Sequence, residues 1–143
     1  MNDAELRYSI YRTFADSGGP PTASQLATWC GGSEAAELAL RRLHDAHAVV
    51  LDAVGAIRMA LPFSVADTGH TVTSGDQSWW ANCAWDTLAI PAALNIDAAI
   101  EAAWLDTGDP VDLAIQDGEL SHTHGFIHFQ ISARHWWDDI LET

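Results

Sequence analysis

The stretch VVLDAVGAIRMAL at residues 49–61 decides how the first part of the chain folds. It holds two short apolar runs, Val49–Leu51 and Ile57–Leu61, on either side of Gly55, which is typical of two strands joined by a turn. Three segments of helical periodicity precede it, with apolar positions at Leu6, Ile10 and Phe14, at Leu26, Trp29 and Cys30, and at Ala36, Ala39, Leu40 and Leu43. Three helices followed by a hairpin predict a winged helix-turn-helix-like module over residues 1–61.

Charge is divided unevenly between the two sides of Pro62. Residues 1–61 carry five arginines against seven acidic residues, whereas residues 62–143 carry Arg134 alone against thirteen acidic residues. This asymmetry, together with the break at Leu61–Pro62, indicates two modules with different roles. We therefore predict a second module over residues 62–143.

The composition of the whole chain excludes several classes of protein. Its 143 residues, 48% of them hydrophobic, suffice for one compact domain or two small ones that share a core. No apolar run approaches the roughly eighteen residues of a membrane span, and the N-terminus lacks the pattern of a signal peptide. We expect a soluble, cytoplasmic protein with no membrane partner. Cys30 and Cys83 are too few for a disulfide framework and are predicted to be free thiols.

A winged helix raises the alternative of a transcriptional regulator, whose third helix would carry Arg41 and Arg42 into the major groove of DNA. These two arginines lie near Asp45 and Asp52 and form a thin surface for phosphates. The net charge of −14, most of it in the second module, would repel the duplex. We therefore expect no DNA partner and keep the regulator as an alternative.

The second module mixes helical and strand patterns, which predicts an α+β fold with a cysteine-bearing helix on a small, mixed or mostly antiparallel sheet. Its expected elements are a loop at 64–75, a helix at 76–90 that Pro91 ends or kinks, strands at 98–105, 111–115 and 125–132, and a short helix or loop at 136–139. Asp117-Gly118 is a hairpin signal. An edge strand left open by this sheet could pair with a second copy, so we also consider a homodimer.

Cys83 and Asp86 are the residues most suited to chemistry. On the predicted helix they stand three residues apart, which brings their Cβ atoms to roughly 5–6 Å from each other. A thiolate is the ligand that soft metals prefer, and burial beside Trp79, Trp80 and Trp85 would raise the pKa of the carboxyl. The alternatives are an inert, buried cysteine and a solvated aspartate, both common on helices.

The segment WANCAWDTLAIPA at Trp80–Ala92 resembles the W-x-x-C-A-x-D-T-L-x-x-P-A motif of the organomercurial (alkylmercury) lyase family. Thr107–Val111 is similar to the T-G-x-P-V turn of that family, and His128-Phe129 and Trp136–Ile140 add supporting likeness. A winged-helix-like module precedes the catalytic domain in this family, so the resemblance covers most of the chain. It is strongest over 58–143.

The resemblance implies protonolysis of a carbon–mercury bond. Cys83 matches the cysteine that captures the organomercurial, and Asp86 matches the aspartate that delivers the proton to the departing carbon. The family's second mercury-binding cysteine, expected downstream of Ile140, has no counterpart here, and Trp104 stands where relatives often carry a structural cysteine. The resemblance implies no dissociable cofactor, because mercury is substrate and product, and it implies external thiols that remove the metal.

Cys30 and three histidines are further candidate ligands. Cys30 shares an apolar helix face with Leu26 and Trp29 and is predicted to be core. His122, His124 and His128 would share one face of a continuous strand, which is a possible soft-metal or zinc site, although ordinary strand histidines explain the same pattern.

The tryptophans suggest where an organic group would bind. Neighbours on a regular element face opposite ways, so in each adjacent pair we expect one ring in the core and one toward a cleft or partner. Trp80 and Trp85 flank Cys83 in sequence and are the predicted substrate-binding residues. If Cys83 captures without catalysis, the alternative is a binding module for a soft metal or a small molecule on the same fold.

Overall fold

Three helices open the chain, and a single eight-stranded sheet with one further helix follows them. The structure is a computed structural model that describes residues 1–121 and 124–141. Its helices are α1 (Asp3–Ser17), α2 (Ala23–Cys30), α3 (Ser33–Asp45) and α4 (Ala84–Leu94), with a 3-10 helix at Ala133–Asp138. Its strands are β1 (Val50–Leu51), β2 (Ile57–Ala60), β3 (Phe63–Ser64), β4 (Thr71–Ser74), β5 (Gln77–Ala81), β6 (Ala98–Ala103), β7 (Pro110–Gln116) and β8 (Glu119–Leu120). The predicted α+β class is confirmed.

The first two helices begin and end at the signals that the sequence carries. Asn2 and Thr22 each cap a helix, and the side chain three residues further on returns a contact to the cap backbone. Each helix then ends at a left-handed glycine, Gly18 or Gly31. The predicted order of three helices and a hairpin is therefore present.

Gly18 is closely fitted between α1 and β5, and this makes a testable prediction. Gly18 has φ +76°, and a Cβ there would lie 2.6 Å from the backbone oxygen of Ser78. Gly31 has a similar φ of +84° but open space around it. We expect Gly31→Ala to lower the free energy of unfolding by about 1–2 kcal/mol, the cost of a left-handed alanine, and Gly18→Ala to lower it by more. Urea unfolding of both variants measures the difference, and equal losses would contradict the close fit.

The sheet is antiparallel throughout and continues across Pro62. Its strand order is β1-β2-β3-β5-β4-β6-β7-β8, so the hairpin of the first 61 residues joins the same sheet as the later strands. The division into modules at 1–61 and 62–143 stays a prediction. Both edge strands, β1 and β8, are two residues long, which is a common way to protect a sheet edge. The homodimer also stays a prediction.

One face of the sheet is packed against helices α1 and α4. Val72, Trp79 and Ile100 are buried on this face, and the indole N–H of Trp79 donates to the Phe14 oxygen at 2.9 Å. Trp79 is 4% exposed and its neighbour Trp80 is 40% exposed. The expectation that one ring of this pair lies in the core is therefore confirmed, while a cleft or partner for the other ring stays a prediction.

The predicted helix over 76–90 is wrong in its first half. The predicted loop at 64–75 is confirmed over 65–70, which form no regular element, and wrong over 71–74. Strands β4 and β5 form a hairpin there, joined by Gly75 and Asp76, and the helix begins only at Ala84. A two-residue Gly-Asp turn between β-branched and aromatic residues is a hairpin signal, and it overrides the helical spacing of the alanines and tryptophans. Pro91 does not end the helix, which continues to Leu94 with Pro91 buried inside it.

The C-terminal part departs from expectation in one place. The predicted strands at 98–105 and 111–115 correspond to β6 and β7, and Asp117-Gly118 forms the turn to β8. The predicted strand at 125–132 is wrong, since residues 124–132 form no regular element. Gly125 has φ +100°, which interrupts an extended chain. No helix within the described part of the chain is long and apolar enough to cross a membrane.

Candidate active site

Cys83 lies at the junction between β5 and α4. It is the N-cap residue of α4, with extended backbone angles, and its carbonyl accepts the first helical hydrogen bond from the Thr87 N–H at 3.3 Å. The helix therefore starts at the thiol instead of running through it. This position places the sulfur beside free N–H groups of the first helical turn, which favour a negative charge.

Asp86 occupies the third position of α4 and meets Cys83. The Cys83 Sγ donates to the Asp86 Oδ2 at 3.5 Å, and both side chains are partly buried. The spacing between an N-cap and the third helical residue brings their side chains together, as it does in a capping box. The structure thus brings the thiol and the carboxyl into contact.

Both groups have pKa values above their ordinary range. Burial raises the pKa of the Cys83 thiol and the Asp86 charge raises it further, while the N–H groups of Asp86 and Trp85 act in the opposite direction. Burial also raises the pKa of Asp86, and the side chains of Cys83 and Asn82 lower it by hydrogen bonding. Both shifts favour the protonated form, of the Cys83 thiol and of the Asp86 carboxyl.

This coupling predicts the pH dependence of thiol reactivity. Because the Asp86 charge raises the pKa of Cys83, Asp86→Asn removes that contribution, and we expect Cys83 to ionise at a lower pH in the variant. The rate of alkylation by iodoacetamide, followed against pH in a Cys30→Ser background, reports the thiolate directly. An unchanged or upward-shifted profile would contradict the coupling.

Two cavities meet at Cys83. The first, of about 480 Å³, is here called the histidine cavity because His70, His124 and His128 line it together with Cys83. The second, of about 370 Å³, is called the aromatic cavity and is lined by Cys83, Asp86, Trp85, Phe129 and Trp136 with several aliphatic side chains. Cys83 is thus open to both cavities, whereas Asp86 faces the aromatic one.

The wall of the aromatic cavity is a chain of ring contacts. Trp85, on the first turn of α4, meets Phe129 edge-on with ring centroids 6.4 Å apart, and Phe129 meets Trp136 at 5.2 Å. Trp137 turns the other way and stacks on His47 at 3.9 Å. The structure places Trp85 at the predicted site, whereas Trp80 lines neither cavity.

Four other residues, Cys30 and three histidines, were candidate ligands from the sequence. Cys30 is the last residue of α2, packs against the core and lines neither cavity. His124 and His128 both line the histidine cavity, although the continuous strand expected to align them is absent. His122 lies outside the described residues. Among residues 1–121 and 124–141, no three or more His, Cys, Asp and Glu side chains are grouped to hold a metal ion.

His70 is a site residue that the sequence reasoning missed. It is half-buried in the histidine cavity, and its Nδ1 atom is buried with no hydrogen-bond partner among the described residues. Burial lowers its pKa, which favours the neutral imidazole. One sequence signal could have found it. His70 stands two residues before Val72, and strand alternation puts both side chains on the packed side of the sheet.

The transcriptional-regulator alternative relies on Arg41 and Arg42 for contacts to phosphate, and Arg42 is paired within the protein. Arg42 holds the Asp3 carboxylate with two hydrogen bonds, at 2.8 and 3.0 Å, so its guanidinium is engaged with α1. Arg41 lies one residue earlier on α3 and remains exposed. The regulator stays an untested alternative.

The structure is thus an α+β fold that brings a thiol and a carboxyl into contact at a helix N-terminus, where two cavities meet. The family model for alkylmercury lyase (MerB) matches residues 63–142, more than half of the chain. The chain belongs to the alkylmercury lyase family. No curated protein matches the sequence.

A solved structure supports the same relationship. The protein described as "Crystal structure of the mercury-bound form of MerB2" superposes with a TM-score of 0.68 at 25% sequence identity. The match covers 84% of this chain and 58% of that one, so this chain spans little more than half the length of its structural relative.

Proposed function

We propose that this protein cleaves the carbon–mercury bond of an organomercurial by protonolysis, with Cys83 as the capturing thiolate and Asp86 as the proton donor. The contact of 3.5 Å between Cys83 Sγ and Asp86 Oδ2 carries the proposal, because it brings a soft ligand and an acid to one point. Family membership supplies the reaction class.

Capture is the first step. The Cys83 thiol transfers its proton to a base, and the resulting thiolate displaces the weaker ligand on an organomercury cation, so that a sulfur–mercury bond forms. The N–H groups of Asp86 and Trp85 near the sulfur favour the thiolate at this moment. Contact between the sulfur and Asp86 makes that carboxylate the nearest acceptor of the proton.

Proton transfer to carbon is the second step. Asp86, now protonated, faces the aromatic cavity, where Trp85 and Phe129 offer an apolar, ring-lined space to the organic group. The electron pair of the carbon–mercury bond takes the Asp86 proton, so a hydrocarbon leaves and a carboxylate remains. Mercury stays in the +2 state on Cys83.

Release of mercury completes the cycle. His124 and His128 line the histidine cavity beside Cys83 and are proposed as further ligands for the metal. External thiols then take it by exchange, which places the reaction in the cytoplasm, where thiols are kept reduced. No dissociable cofactor has a part in these steps.

Hydrocarbon release tests the proposal. The protein is incubated with phenylmercury and an excess of a small thiol, and benzene in the headspace is measured by gas chromatography. We expect continuous release of benzene, with many molecules formed per protein. One mercury held per protein with no benzene would contradict the lyase and establish the alternative, a binding module for soft metals on this fold.

A further inference from the structure

His70 is held at a defined place relative to Cys83. The N–H of Ala81 donates to the His70 oxygen at 2.9 Å, which continues the pairing of β4 with β5 by one residue. The hydroxyl of Thr68 donates to the oxygen of Ala81, so the segment before β4 is attached to the same strand end. Cys83 follows Ala81 by two residues, and the positions of the thiol and the imidazole are therefore coupled through the sheet.

The Nδ1 atom of His70 lacks, among the described residues, the hydrogen-bond partner that a buried ring nitrogen normally has. Strand alternation puts the His70 ring on the side of Val72 and Ala81, both fully buried. Its buried Nδ1 makes no hydrogen bond to any of the described residues. Buried polar atoms in native proteins are nearly always paired, so this nitrogen has a lone pair or a proton to offer a ligand.

Resting on the proposed function, we propose that His70 is a protein ligand of mercury beside the Cys83 thiolate. Of the two cavities, His70 lines only the histidine cavity and Asp86 only the aromatic cavity, while Cys83 lines both. Mercury on the Cys83 sulfur would therefore meet the Asp86 carboxyl through the aromatic cavity and the imidazole through the histidine cavity. Imidazole nitrogen is an accepted ligand for metals of this group.

The ligand exchange balances without an oxidant or reductant. When the organic group leaves with the proton of Asp86, mercury loses one bond to carbon and keeps its bond to the Cys83 sulfur. A ring nitrogen of neutral His70 then donates its lone pair to the vacated position. The Cys83 sulfur and the His70 nitrogen then hold the metal, together with any further ligand from His124 or His128, until external thiols replace these ligands.

His70 is preferred over the other two histidines of the cavity for a structural reason. His124 and His128 belong to residues 124–132, which form no regular element, whereas His70 is fixed by the strand pairing. A ligand on a paired strand is preorganised, and a preorganised ligand holds a metal more tightly.

The test measures retention of Hg²⁺ alone and needs no turnover. Protein loaded with one Hg²⁺ is titrated with 2-mercaptoethanol, and the sulfur–mercury absorption band reports the metal that remains. We expect His70→Ala to lose mercury at least about tenfold more readily, because even indirect partners of metal ligands change affinity by about 10–100-fold. His70→Cys, which supplies a second thiolate, is expected to hold mercury more tightly than the natural protein.

The controls separate this role from general damage. His135 is exposed and lines neither cavity, so His135→Ala is expected to retain mercury like the natural protein. Tighter binding by His70→Cys is a gain that a misfolded variant cannot show. The proposal is overturned if the His70 variants match the natural protein, or if only His124→Ala or His128→Ala loosens the metal. If mercury retention depends on His70 but no benzene is released, the proposed protonolysis is wrong and the role of His70 as a mercury ligand stands.

Discussion

Cys83→Ser is expected to release no hydrocarbon from phenylmercury above the level of buffer and thiol alone. A serine hydroxyl has nearly the same shape, but it does not ionise near neutral pH and is a poor ligand for a soft metal. The variant should also fail to retain one Hg²⁺ per protein. Gas chromatography of benzene and the sulfur–mercury absorption band measure the two losses.

Cys30→Ser is the matched control, since Cys30 packs against the core and lines neither cavity. We expect it to release hydrocarbon at the rate of the natural protein. Persistent release by Cys83→Ser, or its loss in Cys30→Ser, would show that the capturing thiol has been assigned to the wrong cysteine.

Asp86→Asn is expected to capture the organomercurial and then to stall. The amide keeps the size of the carboxyl but has no acidic proton to deliver, so hydrocarbon release should fall by about 10²–10⁴-fold, the usual contribution of a general acid. Single-turnover experiments with one phenylmercury per protein separate uptake from benzene formation. We expect the variant to remain loaded with its organic group intact, which mass spectrometry of the native protein detects.

Asp76→Asn controls for the loss of an acidic residue, because Asp76 is exposed in the β4–β5 turn, where asparagine is also accepted. It should release benzene normally. If Asp86→Asn kept more than a tenth of the natural rate, the proton would have to come from another group.

Much of the N-terminal fold follows from local signals. The capping pairs at Asn2 and Thr22 and the terminal glycines act over three or four residues, so a single sequence is enough to place α1 and α2. The strand pair around Gly55 is equally local. The predicted helix over 76–90 was wrong because helical spacing and a hairpin-turn signal occur together in this segment. The structure has the hairpin, with its turn at Gly75-Asp76, and β4 also pairs with β6.

The predicted contact between Cys83 and Asp86 is present, but its structural basis differs from the prediction. The prediction relied on a mid-helix pair, whereas the structure has an N-cap and a third helical residue, and both arrangements bring residues three apart together. His70 could not be predicted in this way. Thirteen positions separate it from Cys83 in the sequence, and only the register of β4 on β5 brings the two to one cavity.

The stacking of Trp137 on His47 has a consequence for how this protein can change during evolution. His47 lies in the turn after α3, while Trp136, the neighbour of Trp137, forms part of the aromatic cavity. A substitution at His47, on the helical side of the molecule, would therefore reach the wall of the aromatic cavity through Trp137 and Trp136. Under the proposed function, substrate preference is open to mutation both at the cavity wall and at this distant turn.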